Sequence, residues 1–534
     1  MAIVNNLQRG VLALNSTKKL IKTAGFMIVA TFAAKLCGML RDSFIGAYFG
    51  TGSNADAYFA ATKIPLLFFD VIIGGVISAA FIPVFNEYLE KNTKSRALEF
   101  GNRFINVVLL ITSMMCVLGI LFAPQLMDII TPGLAPDTKA LAIRLSNILF
   151  PMIIFTGLAF SFVGILQSFG EFNIPAIISL VSNGMMILYL LIFKNRFGVV
   201  GLSVAMLIGW ALQAAIQIPS LIKFQYKYKL DFRFADEGLK KTAVLALPLL
   251  ISTWVQPIGS MINMRFASNL GVGVMSSLEY ANRLYIIMVG VFSFVVTNLI
   301  FPSLARANAS DNTQERHALM HGALKSVSLV MLPIMAGFIL LSTPVVKLIY
   351  QYGEFDELSV SLTSIALMFY AMGMIGFSYS EVLNKSFFAM QDSKTPMITA
   401  LISIAANVIL SYFLSKFFGI GGLALASALA ATINATLNFI MMNKRIKGIF
   451  NKSDALDIIK IIFSVLVMST VVFLVYSLTK TLFDDNFIGR VLTLIVPVCA
   501  GAITYVLMCL ILKVNEVLML VDTFIHKRGE QNDK

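Results

Sequence analysis

The sequence predicts an all-α polytopic membrane protein, with about fourteen transmembrane helices in two related six-helix lobes plus two C-terminal helices. Three observations carry this: an apolar composition, recurrent runs of membrane-spanning length, and an internal repeat. Of the 534 residues, 58% are hydrophobic and 13% charged, and the mean hydropathy is +0.84. Soluble domains carry about 25% charged residues, so one membrane-embedded body fits better than several soluble domains.

A bilayer span takes about 20 mostly apolar residues. Candidate segments lie at 22–48, 57–86, 104–127, 140–168, 174–193, 198–222, 241–265, 275–304, 324–350, 360–389, 395–416, 419–442, 457–481 and 488–512. Segments longer than about 25 residues imply tilt or helix continuing beyond the bilayer. Lys and Arg gather in alternate connections: 87–103, 223–241, 305–325 and 443–460. With fourteen spans these fall on one side together with both termini, and the positive-inside rule makes that side cytoplasmic. The net charge of +13 then reflects cytoplasmic loops and contact with anionic lipid headgroups rather than nucleic-acid binding.

The segment "NIPAIISLVSNGMMILYLLIFKNRFGVVGLSVA" (173–205) resembles "KTPMITALISIAANVILSYFLSKFFGIGGLALA" (394–426). Pro175, Gly198 and Gly201 correspond to Pro396, Gly419 and Gly422, each 221 residues on. Pro124 and Gly133 match Pro344 and Gly353, and Pro83 matches Pro302, at nearly the same offset. Halves with an even number of spans share their orientation, so the repeat is parallel about an axis along the membrane normal. The expected divisions are 1–222, 223–445 and 446–534. Two such halves around a cleft describe an alternating-access transporter.

Ionisable residues inside a span are costly and face a protein interior or a watery cavity by default. The first span offers Lys35, Arg41 and Asp42. The second offers Asp56, Lys63 and Asp70, spaced by sevens and therefore on one helical stripe. The eighth offers Glu279 and Arg283, and the tenth Glu381 and Lys385, both pairs at i, i+4. Arg41 and Arg283 are the strongest substrate candidates, because a guanidinium is always charged and forks onto phosphate. Asp56 also fits a capping role, Lys63 snorkelling, and Glu381–Lys385 a buried pair. His317, His321 and His526 fall in loops or the tail. Cys37, Cys116, Cys499 and Cys509 lie in apolar runs without disulfide or metal spacing. No P-loop, GxSxG or HExxH motif is present. The expectation is a transporter rather than an enzyme, with no metal and no cofactor.

The stretches "RDSFIGAYFGTGSNADAYFAATKIP", "AAFIPVFNEY", "EYANRLY", "FPSLARA", "YQYGEFD" and "FFAMQDSKTP" occur in order along the chain. Together they resemble the MurJ (MviN) lipid II flippases of the multidrug/oligosaccharidyl-lipid/polysaccharide exporter superfamily. The resemblance implies fourteen helices and the flipping of undecaprenyl-pyrophosphate-linked disaccharide-pentapeptide across the bacterial inner membrane for peptidoglycan synthesis. Its implied partners are lipid II, membrane lipids and the peptidoglycan synthesis machinery. Arg41, Asp42 and Asp56 match charged positions of its first motif, Arg283 its helix 8 arginine, and Lys35 a position where arginine is common. Arg41 and Arg283, helped by Lys35 and Lys63, would contact pyrophosphate; Asp42, Asp56, Asp70 and Glu279 would supply coupling or cavity charge. The sequence departs from the family pattern at Asn282, Phe69, Asp70 and Gly74. A flippase for another polyprenyl-linked oligosaccharide, and a cation-coupled multidrug antiporter, remain alternatives.

Overall fold

The computed structural model describes residues 2–72, 77–231, 233, 235–253, 255–309, 313–390, 392–446 and 452–518. Among the described residues the regular structure is all helical, as expected. Two compact units form: Met1–Phe49 with Ser53–Pro257, and Gly50–Gly52 with Ile258–Lys534. The first contains α1 (Ala2–Phe49), α2 (Ser53–Ile72), a π-helical turn (Ile77–Phe81), α3 (Ile82–Lys91), α4 (Lys94–Leu121) and α5 (Ala123–Ile130). It continues with α6 (Pro136–Leu149), α7 (Met152–Ser168), α8 (Asn173–Ile192), α9 (Lys194–Ala215), α10 (Ile218–Lys223) and α11 (Glu237–Thr253). After α12 (Val255–Ala267), the second holds α13 (Val274–Ala309), α14 (Thr313–Tyr350), α15 (Glu357–Ala371), α16 (Met374–Ala389) and α17 (Lys394–Arg445). It ends with α18 (Lys452–Leu482) and α19 (Phe487–Ile511).

Among the described residues the expected spanning segments fall on helix, interrupted by short breaks such as those at Phe150–Pro151, Ile216–Gln217 and Met372–Gly373. Eight helical stretches among the described residues, two of them made by α6 with α7 and by α9 with α10, are long and apolar enough to cross a membrane, or nine if α15 and α16, bent by 48°, form one span. The 52-residue α17 covers two expected segments.

The internal repeat reaches the backbone of each unit. Gly198, at φ 53° and ψ −142°, breaks α9. Gly419, at φ 52° and ψ −126°, breaks α17 between the two segments it covers. These conformations are strained for any residue with a Cβ, and the two glycines are repeat partners. The α6–α7 break at Phe150–Pro151 and the α15–α16 break at Met372–Gly373 lie 222 residues apart, within one residue of the repeat offset. Buried amides repeat too. Gln213 Nε2 donates to Ser182 Oγ (2.7 Å) and Gln217 Nε2 to the Ala159 carbonyl (2.9 Å). At the corresponding position in the second unit, Asn438 accepts from Thr399 Oγ1 (2.7 Å) and donates to Asn384 Oδ1 (2.9 Å). Amides inside an apolar bundle must find such interhelical partners.

Two prolines show how helix irregularities are satisfied. Pro65 lies inside α2 and has no N–H for the carbonyl four residues back. That carbonyl, of Ala61, accepts instead from Ser146 Oγ on α6 (3.3 Å). Pro333 lies inside α14 and frees the Leu329 carbonyl in the same way. Tyr505 Oη, on α19, donates to it (2.7 Å). The two C-terminal helices are fixed to α14 at further points. Buried Lys325 pairs with Asp457 on α18 and with Glu516 beyond α19, both at 3.0 Å. Arg490 donates to the Gln351 carbonyl just past α14 (2.8 Å).

The expected division at 222 follows the sequence repeat, whereas compactness groups the connecting segment and α11 with the first unit. The cause is a strap of extended chain. Asn102 and Asn106, one turn apart on α4, take its backbone as a neighbouring strand would. Asn102 Nδ2 donates to the Lys227 carbonyl (3.1 Å), and Asn102 Oδ1 accepts from Lys229 N–H (3.2 Å). Asn106 Nδ2 donates to the carbonyls of Lys229 and Asp231, both at 3.0 Å. The Tyr226 and Tyr228 hydroxyls donate to the two amide oxygens at 2.7 and 2.6 Å. Arg103, between the asparagines, pairs with Asp231 (2.9 Å) and Asp236. Asp236 Oδ1 then accepts from Gly238 N–H (2.8 Å), capping α11, and Lys241 of α11 pairs with Glu87 of α3. Beneath lies an aromatic core, with Phe81 4.2 Å from Phe104 and Tyr88 4.8 Å from Phe100, ring centre to ring centre. Tyr226 belongs to this core.

Candidate functional site

Residues 38–49 form the last three turns of α1, and the turn at Gly50–Gly52 leads into α2. Helical side chains lean towards their own N-terminus, so Arg41 lies back along α1. Its Nε and Nη2 donate to one oxygen of the adjacent Asp42, Oδ1, at 2.9 and 2.7 Å. Its Nη1 donates to Asn183 Oδ1 on α8 at 2.8 Å. A guanidinium has only donors, so the amide must turn its oxygen to Arg41. The Asn183 nitrogen then reaches the Ala34 carbonyl of α1, at 3.4 Å. The Arg41 side chain keeps 17% of its surface exposed and the Asp42 side chain 5%. The constellation thus buries its acid more deeply than its cation. Chemically it can offer an oriented guanidinium to an anion.

Lys35 lies half-buried on α1, seven residues before Asp42 and so on the same face. Asp56 sits in the first turn of α2, where a carboxylate is favoured by the helix dipole, and it is 1% exposed. It is three residues inside the helix rather than at its cap. Lys63 is half-buried two turns further on. The side chains of Asp70 and Phe69, and Gly74 altogether, lie outside the described residues. In the second unit Glu279 and Arg283 are half-buried, one turn apart on α13, and Asn282 is half-buried between them. Glu381 and Lys385 form no close ion pair, and Lys385 is exposed. Of the expected site residues, the hydrogen bonds above join Arg41 and Asp42.

Asn183 escaped the sequence reading, which followed charges. The available signal was an amide in the middle of the apolar 174–193 segment, since polar residues inside spans are there for a partner.

Other motif residues are architectural. In "FFAMQDSKTP", Asp392 accepts from the N–H groups of Lys394 and Thr395, both at 3.0 Å, at the start of α17. It also pairs with Arg445 at the end of the same helix. Its repeat partner Glu171 accepts from Asn173 N–H at the start of α8 (2.9 Å). In "YQYGEFD", Asp356 caps α15 through Ser359 N–H (2.8 Å). Tyr350 and Phe355 pack on Tyr280 of "EYANRLY" at 5.0 and 5.5 Å.

Comparison with known proteins bears on what these motifs belong to. The family model described as lipid II flippase MurJ matches residues 45–494. A "Probable lipid II flippase MurJ" of Buchnera aphidicola (subspecies Acyrthosiphon pisum) is 28% identical over 506 residues, covering 94% of this chain and 98% of that protein. A solved structure titled "Lipid II flippase MurJ, inward closed conformation" superposes with a TM-score of 0.77 at 27% identity, covering 91% of this chain and 98% of the other. An inward-facing multidrug transporter of the MATE family, at 16% identity and a TM-score of 0.66, covers 80% of this chain and 98% of its own, and shares the fold. The chain is therefore a multi-pass membrane protein of transporter fold, and it belongs to the lipid II flippase MurJ family.

Proposed function

We propose that this protein carries lipid II, the undecaprenyl-pyrophosphate-linked peptidoglycan precursor, from the cytoplasmic to the outer leaflet by alternating access. The observation that supports this most directly is a partly exposed guanidinium, Arg41 on α1, bonded to Asp42 and Asn183 in a chain of this family. A pyrophosphate carries concentrated negative charge, and an oriented arginine fork is the side chain best shaped to meet it. Arg41 and Arg283 contact the pyrophosphate, Lys35 and Lys63 add positive charge along its path, and the undecaprenyl tail stays in lipid. Asp42 orients Arg41, while Asp56, Asp70 and Glu279 balance cavity charge or couple to a cation. Membrane potential can drive the cycle, since one charge crossing 100 mV is worth about 2.3 kcal/mol.

In this reading the protein lies in the bacterial inner membrane with fourteen spans and both termini cytoplasmic. The six-helix lobes divide near 222 and 445, and the protein hands lipid II to the peptidoglycan synthesis machinery. The test is lipid II externalisation in cells depleted of their own flippase and supplied with this chain. Wild type restores it. Arg41→Ala and Arg283→Ala reach the membrane in normal amount but do not restore it. Normal externalisation by both variants would overturn the phosphate-contact reading.

A further inference from the structure

We infer that Asn183 is a positioning residue for substrate binding: it sets the direction of the Arg41 guanidinium without adding charge to it. The inference rests on the reading that Arg41 contacts the pyrophosphate of lipid II.

Arg41 and Asp42 are neighbours on one helix, so their contact ties the guanidinium only to its own helix. The third contact comes from a different helix. Asn183 Oδ1 takes Nη1 at 2.8 Å, on the opposite end of the fork from the Nε and Nη2 that Asp42 holds. The amide is itself anchored, through Nδ2 to the Ala34 carbonyl of α1 (3.4 Å), and it is 8% exposed. The fork is thereby held from two helices, and its direction is tied to the packing of α8 on α1.

Two features argue that Asn183 does more than pack these helices. First, the packing of this helix type does not demand an amide at this point. The repeat counterpart of Asn183, 221 residues on, is Ile404, while the neighbouring Ser182 recurs as Ser403. Second, the chemistry of the acceptor suits an anion site. Asp42 already balances the arginine. A second carboxylate in place of the amide would leave the trio with a net negative charge and repel phosphate. A neutral acceptor directs the fork and leaves its attraction for an anion intact.

The experiment measures lipid II binding to purified full-length protein in detergent micelles for wild type, Arg41→Ala, Asn183→Ala, the double variant and Asn183→Asp. Asn183→Ala is expected to weaken binding about tenfold, and to cost nothing further on top of Arg41→Ala, because it acts through that side chain. Asn183→Asp keeps the size and the acceptor facing Arg41 but loses the Nδ2 donor to the Ala34 carbonyl, so its melting temperature is compared with that of Asn183→Ala. It is expected to bind more weakly than wild type, with the deficit largest at low salt. Undiminished binding by Arg41→Ala would overturn the reading that Arg41 contacts the substrate. A loss with Arg41→Ala, combined with wild-type binding by Asn183→Ala or with additive losses in the double variant, would overturn the role of Asn183 alone. Wild-type binding by Asn183→Asp at low salt would also overturn it. Monodispersity and melting temperature of each variant separate unfolding from lost binding.

Discussion

Replacing Tyr505 by Phe removes one hydroxyl and tests how the C-terminal helices are attached. The hydroxyl donates to the Leu329 carbonyl at 2.7 Å, an acceptor that has no helical donor because residue 333 is proline. Interhelical hydrogen bonds in membranes average about 0.6 kcal/mol, with a maximum near 1.7. A carbonyl left without any donor falls at the upper end, so about 1–1.5 kcal/mol is expected. In a Pro333→Ala background the new N–H meets the Leu329 carbonyl within α14, and Tyr505→Phe should then cost less than about 0.5 kcal/mol. The coupling between the two substitutions is therefore about 1 kcal/mol, measurable by reversible denaturant unfolding of the four proteins in mixed micelles. Equal costs of Tyr505→Phe in both backgrounds would refute the proline-freed carbonyl as the reason for the contact.

Three further outcomes are expected. Gly198→Ala and Gly419→Ala should each destabilise by about 1–3 kcal/mol through backbone strain, since nothing lies within 4 Å of an added Cβ at either position; unfolding midpoints equal to wild type would contradict this. Asn106→Leu removes both amide groups that hold Lys229, Asp231 and Tyr228, and hydrogen exchange of residues 226–231 should rise while that of α8 stays fixed. The Glu87 carboxyl is held at about 2, below its ordinary 4.5, by hydrogen bonds from Lys241 and then Lys91. Asp231 is likewise held below the usual carboxylate range, by Arg233 and then Arg103. A depressed carboxyl stabilises above its unfolded pKa and loses that stabilisation as pH falls through the folded one. Exchange protection of the strap, corrected for intrinsic rate, should therefore hold from pH 8 to 5 and fall between about 4.5 and 2.

Much of the fold was legible because a bilayer imposes lengths, and because a duplicated chain repeats its punctuation. Gly198 and Gly419 match in sequence and share a left-handed backbone conformation, and Asp392 and Glu171 follow the same logic as helix-start acceptors. The Arg41–Asp42 pair was legible because charge in an apolar run has few explanations. Asn183 was not, since nothing in a single sequence says which helix an isolated amide faces. The strap was misleading for a different reason. Residues 223–241 look like an ordinary basic loop, and only the α4 asparagines, more than 120 positions earlier, reveal that its backbone has fixed partners. The donors that serve Ala61 and Leu329 were hidden for the same reason: a proline announces the vacant carbonyl but not the residue that fills it.

The strap also bears on the order in which the molecule is made. Asn102, Arg103 and Asn106 are synthesised 122 to 133 positions ahead of the groups they hold, so their half of each contact is waiting in the membrane when residues 225–241 leave the ribosome. The first compact unit reaches no further than Pro257. A nascent chain halted at 257 should already resist protease across the strap, whereas one halted at 222 would still lack its lid over Phe100 and Phe104. The connection between the halves is then less a tether between finished parts than the last piece of the part made first.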